Sequence, residues 1–226
     1  MIATIAYKGQ LIKFEITDTN DYLQKFWLRG VFYEQAMLQF IEHRWKEKAL
    51  KGRITFIDVG ACIGNHSIFF AKIIGAKVHA FEPCPPSCNL IRKNTDWNRP
   101  YPGGPIQVWQ MAAGEQSCHM PFSLNDSGNS GMHKITTVGE CLVKVNSLDV
   151  VLDHYEPIHL MKIDVEGYNI PVLKGATGII SKHHPEIYIE CQTTEELREV
   201  EDFLLPIGYT RWPQSFNATP TYLFYY

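Results

Sequence analysis

The six cysteines of this chain (62, 84, 88, 118, 141 and 191) include no C-x-x-C pair, and Cys84 and Cys88 have no matching His or Cys pair nearby. That absence argues against a structural zinc site and a disulfide framework, and reduced thiols in a cytoplasmic setting are the expectation. No stretch approaches the ~18 apolar residues that span a bilayer. Met1–Lys8 lacks a basic region leading into an apolar one, so no signal peptide and no membrane attachment are expected. Lys and Arg number 21 against 24 Asp and Glu, a formal charge of −3, and they are scattered. A nucleic-acid footprint, which needs a basic stripe, is thereby disfavoured. Internal repeats, low-complexity segments and haem or iron–sulfur patterns are also missing. So is G-x-G-x-x-G, the diphosphate-binding loop of dinucleotide folds.

A chain of 226 residues, 45% hydrophobic, is long enough for one sizeable core. Residues 2–16 read as a β-hairpin turning at Lys8-Gly9, and residues 31–47 as a helix with a broad apolar face. These form a small N-terminal cap, residues 1–50, ahead of a main domain over 51–226. There strands and helices alternate: 54–58, 66–74, 77–82, 86–95 and 106–111. Pro85 and Pro86 suit the start of the fourth segment. The pattern lapses from 112 to 146 around Ser127–Gly131, with two short strand-like pieces at each side. It resumes with a short helix at 147–152, a strand at 159–164, a helix through Leu173, a strand at 186–190 and a helix at 194–204. Tail strands at 207–211 and 221–226 complete it. Such alternation predicts an α/β fold with a mostly parallel sheet, whose ligands bind beyond the carboxyl ends of the strands. Asp58, Glu82, Met111, Asp164 and Glu190 all fall at expected strand ends and should converge on one cleft.

The segment Ile54–His66 is the most informative: a buried strand ending at Asp58, a turn with Gly60 and Gly64, then a helix. A second strand closes at Glu82, where an acid is placed to accept from both hydroxyls of a ribose. Asp-x-Gly-x-x-x-Gly, with bulky Cys62 and Ile63 between the glycines, does not suit a diphosphate. An acid facing the loop suits a cationic ligand, and S-adenosylmethionine carries both an ammonium and a sulfonium.

In these motifs the chain resembles the FkbM family of S-adenosylmethionine-dependent methyltransferases. The resemblance is carried by Phe32-Tyr33-Glu34, Asp58–Gly64, Phe81-Glu82-Pro83, Asn94–Asn98, Ala112-Ala113-Gly114, Ser147-Leu-Asp149, Lys162-Ile-Asp164-Val-Glu166-Gly167, Leu173-Lys-Gly175 and Pro185–Glu190. It implies a Rossmann-like seven-stranded sheet with the last strand antiparallel, and O-methylation of a hydroxyl on a sugar, glycan or secondary metabolite. The cofactor site it implies comprises Glu34, Asp58, Gly60, Ala61, Gly64, Asn65, Glu82, Pro83, Met111, Ala112 and Ala113. Asp164, Glu166 and His66 are the expected catalytic residues, with Glu190 and His133 as further candidates in the cleft. A divalent cation on Asp164 and Glu166 is conceivable but not predicted. Two departures stand out: Cys62 where the family often has Asn, and Asn169 where it often has Glu. Two other readings remain open, a nucleotide-cofactor oxidoreductase on a similar fold and a non-catalytic cofactor-binding module. The acceptor, the base and the oligomeric state are not legible in the sequence.

Overall fold

The computed structural model describes residues 1–124, 129–152 and 157–226. Strands β1 (Ile2–Tyr7) and β2 (Gln10–Glu15) form the N-terminal hairpin. Its turn residues Lys8 and Gly9 both have positive φ, the geometry that matches the twist of a two-residue hairpin. Helix α1 (Gln24–Leu28) follows, then α2 (Gln35–Lys51). The expected single helix over 31–47 therefore begins four residues later, because Glu34 at its start sits at φ 55°. Beyond it come β3 (Thr55–Val59), α3 (Asn65–Phe69), a π-helical turn (Phe70–Ile74), β4 (Lys77–Phe81), α4 (Pro85–Trp97) and β5 (Ile106–Trp109).

Four short strands follow: β6 (Ala112–Ala113), β7 (Cys118–Ser123), β8 (Lys134–Ile135) and β9 (Cys141–Asn146). The region read as a lapse thus holds a separate four-stranded sheet of order β6-β9-β7-β8. The strand-like pieces expected two at each side correspond to β6 and β7 before Ser127–Gly131 and to β8 and β9 after it; Ser127 and Gly128 lie outside the described residues. After it run α5 (Leu148–Val151), β10 (Leu160–Ile163), α6 (Asn169–Lys174), α7 (Thr177–His183), β11 (Glu186–Glu190), α8 (Thr194–Leu204), β12 (Thr210–Phe216) and β13 (Thr221–Tyr225). The tail strand expected at 207–211 starts late because Leu205–Ile207 makes a 3₁₀ turn ended by Gly208 at φ 98°.

The main sheet has seven strands in the order β12-β13-β11-β10-β3-β4-β5, all parallel except β13. A parallel sheet is covered on both faces, so its strands are apolar throughout. Side-chain alternation divides them between two cores. Phe56, Val78, Leu160 and Tyr188 meet the hairpin, α2, α3 and α4, while Ile57, Val59, Met161, Ile163 and Ile187 meet α5 to α8. The hairpin belongs to the first core through Ile5, Ile12 and Phe14. It is also pinned by Asn94 and Asn98, whose side-chain oxygens accept from the Glu15 and Lys13 N–H groups. After β3 the chain winds outward to β4 and β5, then returns to place β10 on the other side of β3. That reversal opens a crevice beyond the carboxyl ends of β3 and β10, where α/β sheets bind ligands.

Candidate active site

Glu82 stands just past β4 and is almost fully buried. Its two carboxylate oxygens accept from the backbone N–H groups of Cys62 (2.9 Å) and Cys84 (2.8 Å). Cys62 presents its N–H from a left-handed conformation, φ 49°. Burial pushes the Glu82 carboxyl up to about 8, outweighing the two N–H donors that favour its charge. Burial, then the nearby Asp164, pushes Glu190 up to about 8 as well. A carboxyl that holds its proton more tightly when folded stabilises the fold at acid pH. That contribution is lost as the pH rises from about 4.5 through 8. The unfolding temperature of the ligand-free protein is therefore expected to fall across this window, with a shallower fall in Glu82→Gln. Equal slopes in a pH series of thermal melts would contradict this.

Gly60 has a reason the sequence did not reveal. Its φ is 77°, and a Cβ there would lie 1.8 Å from the Asp164 carbonyl oxygen. The glycine lets the ends of β3 and β10 close on each other; approach of a ligand is not needed to explain it. Gly60→Ala is accordingly expected to cost at least about 2 kcal/mol of folding stability, the scale of a backbone clash with strain. A denaturant midpoint equal to wild type would show that this contact relaxes freely. Gly64 has φ 89°, and a Cβ there would lie 3.4 Å from the Ile91 side chain of α4.

The other sequence-derived candidates sort by depth. Asp58 is fully buried and accepts a 2.6 Å bond from the Ser67 hydroxyl. Asn65 anchors the N-terminal segment, accepting from the Trp27 indole and the Tyr33 N–H and donating to the Tyr33 carbonyl. His66 Nε2 lies 2.9 Å from Glu34 Oε2, both side chains buried. Asn169 donates to the Glu190 carbonyl at 2.7 Å. A carboxylate at position 169 has no proton to give in that bond, so the departure from the family pattern supports the end of β11.

Lys162 was overlooked as a site residue. It lies on β10 beside Asp58 of β3, only 2% exposed, and its ammonium is 2.9 Å from Asp164 Oδ2. Burial opposes its charge, but Asp164, Asp58 and Glu34 together raise its proton affinity above that of an ordinary lysine. The signal in the sequence was a lone cation inside the buried strand Leu160-Met-Lys-Ile. Around it, oxygens of Asp164, Glu166 and Glu190 lie within 4.8 Å of one another. Burial, then Asp164, raises Glu166, which also meets the Gln192 amide.

Two adjoining cavities occupy the crevice. The smaller, about 410 Å³ and, like the larger, open to solvent, lies between Phe81, Pro83, Ala112, Ala113, Phe122 and Tyr168. The larger, about 1140 Å³ and open to solvent, is lined by Ala61, Asn65, His66, Lys162, Glu166, Glu190 and Gln192, with Tyr22 and Tyr33. Gly60, Glu82, His133 and Asp164 border both. The structure thus brings together Gly60, Ala61, Asn65, His66, Glu82, Pro83, Ala112, Ala113, Asp164 and Glu166. Glu34, Asp58, Gly64 and Met111 line neither cavity. The first two sit behind the wall as partners of His66 and Ser67, and Met111 packs on the second core. A cavity with apolar walls, a carboxyl at its edge and an acid-lined chamber beyond make an arrangement for a ligand with an aromatic ring, hydroxyls and positive charge.

The sequence pattern of the methyltransferase FkbM domain matches residues 58–211, more than half of the chain. The chain belongs to the FkbM methyltransferase family. Hexuronic acid methyltransferase AglP of Haloferax volcanii is 28% identical over 159 residues, covering 63% of this chain and 64% of that protein. In structure, this FkbM chain is similar to methyltransferase FkbM from Methylobacillus flagellatus KT, with a TM-score of 0.58 at 23% identity. That match covers 77% of this chain and 44% of the other. Magnesium protoporphyrin IX methyltransferase from Synechocystis PCC 6803, solved with bound SAM, gives 0.54 at 9% identity over 93% and 83% of the two chains. The FkbM chain therefore spans less than two thirds of the first two relatives' lengths. Both structural likenesses bear on the fold. No helix among the described residues is long and apolar enough to cross a membrane.

Proposed function

We propose that this protein transfers the methyl group of S-adenosylmethionine to a hydroxyl oxygen of a sugar, glycan or related metabolite. The observation that carries this reading is the meeting of Glu82, Gly60 and Asp164 at the border of a cavity with apolar walls and an acidic chamber. The residues present fit the cofactor. Pro83, Ala112, Ala113 and Tyr168 offer apolar walls for adenine, Glu82 a hydrogen-bonding carboxyl for ribose, and Asp164 negative charge toward a cation.

When bound, S-adenosylmethionine supplies a methyl on a positively charged sulfur, an activated electrophile. The protein's task is to align an acceptor oxygen opposite that sulfur and to exclude competing water. Asp164 takes the hydroxyl proton as the oxygen–carbon bond forms and the carbon–sulfur bond breaks, its electron pair passing to sulfur. Lys162 positions the Asp164 carboxylate through the 2.9 Å contact and offsets part of the acidic field. His66, tied to Glu34, orders the loop wall and stands second as proton acceptor.

Incubating the chain with S-adenosylmethionine labelled in the methyl group and a panel of hydroxylated acceptors tests the reading. Label in an alkali-stable ether is expected. Label appearing only in alkali-labile methyl esters would redirect the assignment to carboxyl methylation.

A further inference from the structure

The outer part of the larger cavity has features that an acidic chamber alone does not explain. Tyr22 and Tyr33 meet nearly edge to face, ring centroids 5.9 Å apart at 76°, and both line the cavity. Phe26 backs Tyr33 at 5.2 Å and Tyr22 at 5.5 Å, while Tyr22 as a residue is 47% exposed. Glu166 and the Gln192 amide, in contact with each other, line the same cavity. A pyranose ring has an apolar C–H face and a rim of hydroxyls. An aromatic corner covers the first, and a carboxylate beside an amide both accepts from and donates to the second.

Charge narrows the choice of ring. Lys162 is the one Lys or Arg among the described residues lining this cavity, and it is already engaged with Asp164. Lys134 lines the smaller cavity instead. Three carboxyl groups stand close together, and burial first, then Asp164, raises the proton affinities of Glu166 and Glu190. A ligand carboxylate would enter a partly desolvated place beside Asp164, Glu166 and Glu190, where Lys162 is already engaged.

We propose that this mouth is an acceptor subsite for an uncharged pyranose, held between the Tyr22/Tyr33 corner and the Glu166–Gln192 pair, and that it discriminates against hexuronates. The proposal rests on the methyltransferase reading only for its claim that the bound sugar is the acceptor; binding itself is separable.

Ligand-observed NMR titrations of the full chain test it at low salt. The probes are methyl α-glucopyranoside, methyl α-mannopyranoside and glucuronate, each with and without S-adenosylhomocysteine. At least one neutral glycoside is expected to bind about tenfold more tightly than glucuronate. Tyr22→Ala should weaken that glycoside at least about fivefold without changing S-adenosylhomocysteine affinity. Glu166→Gln should narrow the preference over glucuronate. Glucuronate binding as well as the glycosides, no glycoside binding, or binding indifferent to Tyr22→Ala would each overturn the subsite. Failure of S-adenosylhomocysteine to bind would count against the methyltransferase reading and leave the sugar result to be judged by itself.

Discussion

Asp164→Asn is expected to lower methyl transfer by about 10²–10⁴, the range for loss of a general base, while cofactor affinity stays within a few-fold. The substitution keeps the size of the side chain and one oxygen toward Lys162, 2.9 Å away in the wild type. It removes the negative charge that takes the proton. Because Asp164 also stands with Glu166 and Glu190, a second version of its role is open to the same experiment. With Lys162 already supplying positive charge at Asp164, indifference to a chelator is expected. Loss of activity in chelator, restored by magnesium, would give the three carboxylates to a cation instead. Wild-type turnover by Asp164→Asn would end both versions and pass the base role to His66 or His133, which also line the cavity.

Glu82→Ala is expected to weaken S-adenosylhomocysteine binding by about 1.5–3 kcal/mol, roughly 10- to 150-fold. Two losses combine: an acceptor for the ribose hydroxyls, and the carboxylate that holds the Cys62 and Cys84 N–H groups in place. Gln at this position has a single oxygen, so it accepts from one N–H and turns its amide hydrogens toward the other. An intermediate affinity is expected for Glu82→Gln. Calorimetry showing unchanged affinity in Glu82→Ala would remove this residue from the cofactor site.

Much of the fold is written in short-range pattern. The buried strand at 54–58, the glycine turn and the acid-tipped strand at 77–82 each announce themselves within a few residues. Alternating strands and helices then imply the parallel sheet and the crevice at its reversal. What the pattern hides is pairing across the chain. The strands of the small sheet are only two to six residues long, and β7 carries a proline, so the alternation is weak until β9 is seen beside it. The pattern predicts that Gly60 faces the ligand, and it borders both cavities; what the sequence hides is its close approach to the Asp164 carbonyl, about a hundred residues away. Lys162 passed as part of a motif because, besides the adjacent Asp164, the charges that favour its ammonium come from Asp58 and Glu34, far away in sequence. Glu34 and Asp58 are expected in the cofactor site by type and place; the structure shows one oxygen of each meeting His66 or Ser67, while the other oxygen of each is buried without a hydrogen-bond partner.

The most direct measurement is a calorimetric titration of the purified chain with S-adenosylhomocysteine and, in parallel, with NADH. Saturable one-to-one binding of S-adenosylhomocysteine, weakened by Glu82→Ala, with no heat from NADH, is the expected result. Saturable binding of NADH, or no binding of S-adenosylhomocysteine to a folded chain, would contradict the assignment of this crevice to a methyl donor.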